Sequence, residues 1–213
     1  MDTIRETETL KYQRMWKVPA YRTHSPGKNY IEQAVKNLEM KTGDHILDVG
    51  CGSGKTASWL CDNGFFVHGI DIASNCLDEA MYDDIEEGTL RPNFYFSEEC
   101  AWQLSQKVTE TDWIVCTDVM EHIPEKMVHP VLYQLSTKMK KGGFFSISCA
   151  LDTLGPKFIN EQLHLTVRSD RWWADQLGRY WSISWAMDPN VGTNVLIFVH
   201  PRKEKQIEWP TRD

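Results

Sequence analysis

Residues 45 to 71, HILDVGCGSGKTASWLCDNGFFVHGID, constrain the fold more than any other stretch of the chain. An apolar run from His45 to Val49 carries one acid, Asp48, and opens into Gly50-Cys51-Gly52-Ser53-Gly54 before an apolar-periodic segment, Thr56 to Cys61. The pattern predicts strand, tight turn and helix. Glycines at 50, 52 and 54 let the backbone turn sharply and approach a ligand, and the following helix aims its free N–H groups at the same place. A second predicted strand, Phe65 to Ile70, delivers Asp71, 21 residues after Gly50. An acid at that strand end can accept both hydroxyls of a ribose.

Spacing separates the cofactors that compete for such a turn. A dinucleotide fingerprint GxGxxG starting at Gly50 needs glycine at 55, where Lys55 stands. A phosphate-binding loop GxxxxGK[ST] ending in Gly54-Lys55-Thr56 needs glycine at 49, where Val49 stands. What remains is DxGxGxG, with Asp48 two residues before the first glycine. In this motif the chain resembles the class I S-adenosylmethionine-dependent methyltransferases, whose first motif is [DE]xGxGxG. A carboxylate beside the loop suits a cofactor that carries a sulfonium and an ammonium where NAD and ATP carry phosphates.

A fourth predicted strand, Trp113 to Thr117, ends in Asp118-Val119-Met120-Glu121-His122-Ile123-Pro124. The DVxEHI string resembles the fourth motif of small-molecule and O-directed methyltransferases. It lacks the [DNS]PP[YFW] of amino-directed nucleic-acid enzymes and the Pro-Cys of cytosine C5 enzymes, so nucleobase chemistry is disfavoured. The resemblance covers about residues 44 to 200. It implies an α/β three-layer sandwich with a seven-stranded, mostly parallel sheet whose last strand is antiparallel. It also implies S-adenosyl-L-methionine as cofactor and S-adenosyl-L-homocysteine as product. The cofactor site then falls on Asp48, Gly50, Cys51, Gly52, Gly54, Asp71, Ile72 and Asp118. The family's adenine-reading acid is missing from Ser97-Glu98-Glu99-Cys100-Ala101-Trp102, where Cys100 takes its place; Glu99 or the backbone of Cys100 and Ala101 is left to read the adenine.

At 213 residues the chain is long enough for one domain with a full core. Residues 1–43 are expected as an N-terminal helical cap or lid, 44–200 as the methyltransferase domain and 201–213 as a charged, frayed tail. The polar N-terminus shows no signal peptide, no apolar run reaches the length of a membrane span, and the six cysteines form no CxxC pair. Reduced thiols and a cytoplasmic location are expected. A net charge of −7 with no basic block repels a nucleic-acid backbone. Oligomeric state is not legible.

Along the chain, Thr7 to Trp16 is expected as a helix stopped by Pro19 and Ser25-Pro26-Gly27, and Asn29 to Met40 as an amphipathic helix buried through Ile31, Ala34, Val35 and Leu38. Ser74 is expected to cap a helix from Asn75 to Glu87. Asn93 to Ser97 reads as the third strand and Cys100 to Val108 as a short helix or loop. Pro130 is expected in the first turn of a helix running to Lys140 and ended by Gly142-Gly143, with Phe144 to Cys149 as the fifth strand. Residues 150 to 167 form a long connection of the kind that is usually functional. Ser169 is expected to cap a helix through Gly178, and Tyr180 to Met187 and Asn194 to His200 read as a closing antiparallel pair.

The acceptor is expected to be a small hydroxylated metabolite or sugar, bounded by Tyr12, Trp16, Tyr21 and His164. His122 and His164, in the two loops that face it, are the candidate bases, since a hydroxyl acceptor must lose its proton. No metal is assigned. Asp118, Glu121 and His122 are close in sequence, yet adjacent positions on one loop rarely all point inward. A cofactor-binding regulatory protein without turnover, and a nucleotide hydrolase using Asp118 for magnesium, remain alternatives.

Overall fold

Alternating apolar runs and turn residues resolve into a seven-stranded sheet covered on both faces, with a small two-stranded pair beside it. The computed structural model describes residues 3–23, 27–84, 86–190 and 192–202; the Ser25-Pro26 break and the tail from 203 to 213 lie outside the described residues. In chain order come α1 (Thr3–Met15), α2 (Pro19–Arg22), α3 (Lys28–Asn37), β1 (His45–Val49), α4 (Lys55–Asp62) and β2 (Phe66–Asp71). A 3-10 turn, Glu79–Met81, precedes the small pair β3 (Tyr82–Asp84) and β4 (Thr89–Leu90), then β5 (Phe94–Glu98) and β6 (Thr111–Thr117). A second 3-10 turn, Met120–His122, leads to α5 (Glu125–Ser136), β7 (Met139–Ser148), α6 (Leu154–Ile159), α7 (Asp170–Leu177), β8 (Ser182–Met187) and β9 (Asn194–His200).

The main sheet has seven strands in the order β5-β2-β1-β6-β7-β9-β8. The first five are parallel, and β9 runs antiparallel to both β7 and β8. Chain order reverses between β1 and β6, which pair in register from Ile46↔Trp113 to Val49↔Cys116. Ligands of open α/β sheets bind in the crevice that opens outside the strand ends at such a reversal. Strand alternation sends Ile46, Val67 and Val115 to one face, where Met15, Ile31, Ala34 and Leu60 cover them. Leu47, Ile114 and Cys116 go to the other, under Val131, Leu135, Trp173 and Leu177 of α5 and α7. Each fully buried aliphatic chain of this kind contributes roughly 1.5 to 3 kcal/mol.

Three expectations are corrected. Among the described residues of 75–87 there is no α-helix for Ser74 to cap. The Arg22 guanidinium donates to the carbonyls of Asn75, Cys76 and Leu77 at 3.1, 3.0 and 2.6 Å and to Asp78 Oδ1 at 2.9 Å, taking the acceptors a first helical turn would need. Pro130 lies inside α5 rather than in its first turn, because the helix already starts after Pro124. Its missing N–H forgoes one i to i−4 bond. Gly142 and Gly143 do not end a helix; they sit within β7, which begins at Met139. A Cβ at either position would come within 2.7 Å of a carbonyl oxygen, of Val199 or of Ile114, so only glycine lets β7 fit there between β6 and β9.

The 150–167 connection holds α6, closed by Asn160 in the left-handed conformation (φ 56°). Ser169 caps α7 as expected, accepting from Trp172 N–H at 3.2 Å. All six cysteines are free thiols. No helix among the described residues is long and apolar enough to cross a membrane.

Candidate functional site

The glycine loop leaves β1 with Gly50 at φ +65° and Gly52 at φ +53°, a backbone region that L side chains rarely occupy. Space is as restrictive as conformation. A Cβ on Gly50 would lie 2.4 Å from Val119 Cγ2 beyond β6, and one on Gly52 would lie 2.8 Å from the Trp16 ring. The N-terminal segment therefore rests directly on the loop. Asp71, at the end of β2, accepts from Gly52 N–H at 3.1 Å and from Ala73 N–H at 3.0 Å, clipping the glycine loop to the turn after β2.

Four acids lie around this region, Asp48, Asp71 and Glu121 buried and Asp118 partly so. Burial, with the Asp71 charge adding to it, pushes the Asp48 carboxyl up to about 7. Burial also raises Asp71 to about 6, against the opposing pull of the Ala73, Gly52 and Ile72 N–H groups. Asp118 is raised to about 7 by burial, less the bond it accepts from Asn194 Nδ2 at 3.3 Å. Glu121 lies well above the usual carboxylate range, through burial first and the Asp118 charge second. Among the described residues none of the four forms an ion pair, and Asp48 Oδ2, Asp118 Oδ2 and Glu121 Oε2 are buried without a hydrogen-bond partner. Asp118 also holds a left-handed backbone at φ 56°, a strain of order 1 to 3 kcal/mol for a non-glycine residue. Such a set attracts a cation.

Two cavities meet here. One is lined by Asp71, Ile72, Glu99, Ala101, Trp102, Val119 and Ile123 under Glu8 and Tyr12. The other, of about 390 Å³, is lined by Asp48, Cys51, Gly52, Ser53, Ser148, Asp152, Leu163, His164 and Asn194. Trp16, Tyr21, Gly50, Asp118 and His122 border both. The structure thus gathers most of the residues singled out in the sequence. Gly54 instead lies at the start of α4 beside Lys28 and Met81, in a separate groove, and the Cys100 side chain is wholly buried in the core. Glu99 lines the first cavity, yet both of its carboxylate oxygens already accept from Ser105, one from the N–H at 3.0 Å and one from the hydroxyl.

His122 and His164 stand edge to face with ring centroids 4.8 Å apart. His122 Nδ1 lies 3.1 Å from Leu163 O and 2.8 Å from the Tyr12 hydroxyl, and His164 Nδ1 lies 2.6 Å from Ala150 O. Burial, followed by the neighbouring His164, pushes His122 down to about 3. Its imidazole is neutral at pH 7. Glu121, the residue before it, contributes a third donor atom; one such atom from each of Glu121, His122 and His164 lies within 4.8 Å of the other two.

Asp152, Asn194, Trp102 and Glu8 line the cavities without having been singled out. Asp152 accepts from Leu154 N–H (2.8 Å), Gly155 N–H (2.9 Å) and Leu163 N–H (3.1 Å), closing the loop that carries His164. An acid two residues before a helix is a legible capping signal. Asn194 reaches Asp118 across 76 residues, and nothing local announces that.

A profile of the methyltransferase domain family matches residues 21–192. Among curated relatives, the ubiquinone biosynthesis O-methyltransferase of Albidiferax ferrireducens is 36% identical over 115 residues, covering 53% of this chain and 44% of the relative. The enzyme of the same name from Leptothrix cholodnii is 31% identical over 121 residues, covering 56% and 48%. The chain spans about half the length of these curated relatives. Among solved structures, magnesium protoporphyrin IX methyltransferase from Synechocystis, with S-adenosylhomocysteine bound, superposes with a TM-score of 0.62 at 18% identity, covering 93% of this chain and 96% of that one. With a family match over most of its length, on the sheet order and glycine loop described above, this chain belongs to the class I methyltransferase domain family.

Proposed function

We propose that the chain transfers the sulfonium methyl group of S-adenosylmethionine to an oxygen of a small hydroxylated molecule. The observation that carries this reading is the pair of cavities meeting at Gly50, Asp118 and His122 beneath Trp16 and Tyr21. The residues fit the cofactor by charge: unpaired Asp48 and Asp118 oxygens face a site that would receive an ammonium and a sulfonium. Asp71 keeps lone pairs for ribose hydroxyls after accepting from Gly52 and Ala73. With Glu99 engaged by Ser105, the backbone at Ala101 is left to read the adenine edge, between Ile72 and Trp102.

The methyl group arrives activated by its own sulfonium, so the protein's task is in-line placement of the nucleophile and removal of its proton. The larger cavity, bounded by Tyr21, His122, His164 and Asp152, would hold the acceptor. Its size is that of a small-molecule site, and its carboxylates oppose a phosphate backbone. The O-methyltransferase names of the bacterial relatives support oxygen as the attacked atom. Residues 1–43 act as a lid over 44–200: Trp16 lies on Gly52, and Tyr12 reaches His122.

Calorimetric titration with S-adenosylhomocysteine should give one site per chain. Incubation with S-adenosylmethionine and a panel of phenols, sugars and hydroxy acids should yield an O-methylated product by mass spectrometry. Cofactor binding without product across the panel would leave a regulatory binding protein. Tight ATP binding dependent on Lys55, whose ammonium here donates to Arg22 O at 2.9 Å, would restore the hydrolase.

A further inference from the structure

The cluster of Glu121, His122 and His164 is built more rigidly than a chance meeting of side chains. Leu165 N–H and Thr166 N–H both donate to the Glu121 carbonyl, at 2.8 and 2.9 Å, and the Thr166 hydroxyl donates to Ile123 O at 2.6 Å. The turn after β6 and residues 163–166 are thereby laced together. Each histidine is also held from behind by a backbone carbonyl, His122 by Leu163 O and His164 by Ala150 O. A carbonyl can only accept, so His164 carries its proton on Nδ1 and keeps the lone pair on Nε2; His122 Nδ1 faces the Leu163 carbonyl and the Tyr12 hydroxyl together, and donating to that carbonyl leaves its Nε2 lone pair free in the same way. Histidine ligands of metals are oriented in the same manner. Glu121 completes the set. It has no exposed surface, its Oε1 accepts from Ser148 N–H at 2.9 Å, and its Oε2 is buried without a partner.

We propose that Glu121, His122 and His164 form a divalent-metal site in the wall of the acceptor cavity, with open coordination positions that take an oxygen of the acceptor. Two imidazoles and one carboxylate favour a transition ion such as Zn²⁺, Co²⁺ or Mn²⁺ over Ca²⁺. Three protein ligands with a position left open is the composition of a catalytic rather than a structural site. Asp118, whose Oδ2 is likewise unpaired, adds negative charge at the site. A hydroxyl bound to a dication gives up its proton to water far more readily than a free one. Its oxygen then forms the new O–CH₃ bond while the S–CH₃ bond breaks and its electron pair returns to sulfur. This assignment rests on reading the cavity as the methyl-acceptor site, and it gives the two histidines a joint task in place of separate roles as bases.

The test titrates Co²⁺ into the chelator-treated full chain, followed by calorimetry and visible absorption, with S-adenosylhomocysteine titrated separately. One Co²⁺ per chain is expected, with ligand-field bands of a four- or five-coordinate site. His164→Gln and His122→Gln should each weaken Co²⁺ by about tenfold or more, and Glu121→Gln should do the same while keeping the side-chain shape. Cofactor affinity should stay within about threefold of the wild type in the His164 variant, which does not touch the glycine loop. Circular dichroism controls for folding, and His164→Ala replaces the glutamine variant if the latter unfolds. Absence of saturable Co²⁺ binding by the wild-type chain, or equal affinity in both histidine variants, overturns the site. Preference for Mg²⁺ over Co²⁺ overturns the transition-ion assignment. Loss of the S-adenosylhomocysteine site with Co²⁺ binding intact would instead sink the cofactor reading.

Discussion

On the proposed reading, Asp71 serves both fold and ligand with one side chain. Its two oxygens hold Gly52 N–H and Ala73 N–H, so Asp71→Ala removes a clip between two loops, and with it the proposed ribose acceptor. Lost hydrogen bonds to a charged group cost about 1.5 to 3 kcal/mol each. Calorimetry should show S-adenosylhomocysteine affinity falling by more than about tenfold, with a lower melting temperature for the ligand-free chain; an unchanged affinity would remove Asp71 from the site. Asp48 makes the opposite trade. Its folded pKa of about 7 stands above the ordinary carboxylate value of about 3.8, so the native state keeps a proton that the unfolded chain has already lost. The associated stability is complete below pH 4 and disappears as pH rises through 7. At pH 8 the ligand-free chain thus buries an unpaired charge. Asp48→Asn should raise its melting temperature at pH 8 by about 3 °C or more while weakening S-adenosylmethionine, whose ammonium loses its counter-charge. A variant that melts lower at pH 8, with affinity unaltered, would refute that account. The glycine spacing, Asp48 and Asp71 were legible because their chemistry is local. The orphaned oxygens of Asp118 and Glu121 were not, since burial comes from the whole fold.

At the scale of elements, the seven strands of the main sheet were readable, though β7 began earlier than expected, and the short pair β3/β4 in place of a helix after β2 was not. β1, β2 and β6 are parallel and largely buried, and the edge strand β5 alternates between core and solvent, so all four were readable to within two residues. Asn75 to Glu87 has helix-compatible residues, but Arg22, more than fifty residues upstream, takes the carbonyls of Asn75, Cys76 and Leu77. That same guanidinium donates to Trp16 O at 2.9 Å and pairs with Asp78 at 2.8 Å. It therefore fastens the N-terminal segment to the turn beside Asp71. Arg22→Ala should loosen that joint without unfolding the sheet, weakening S-adenosylhomocysteine by about threefold to tenfold and opening a protease site between α1 and α3. Proteolysis rates equal to wild type would show that the packing of Trp16 on Gly52 suffices alone. β7 teaches a similar lesson: Gly142-Gly143 reads as a helix stop, and only the neighbours at 2.7 Å explain why glycine is needed inside a strand. Gly143→Ala should cost several kcal/mol in chemical denaturation, by pressing a methyl against Ile114 O.

For the whole molecule, the N-terminal segment both packs into the core and covers the glycine loop. Tyr12, Met15 and Trp16 are buried in the same cluster as Ile31, Leu60 and Phe144, and Arg14 reaches across to pair with Glu161. Deleting residues 1–27 should leave the seven-stranded sheet, with near-native far-UV circular dichroism, yet lower the melting temperature, expose apolar surface to a hydrophobic dye and abolish turnover. Loss of the sheet signal would make the segment core. A truncated chain that still methylates at the full rate would end the lid proposal. The sequence by itself determined the α/β architecture, the seven strands, the glycine turn and the acids at the ends of β1, β2 and β6, because strand periodicity and turn chemistry act over a few residues. Only the tertiary structure decided which carboxylates are left unpaired, where Arg22 binds, and that Glu121 and His122 meet His164 some forty residues further on. Those facts depend on desolvation and on loops brought together across the crevice, and no local pattern of residues encodes either.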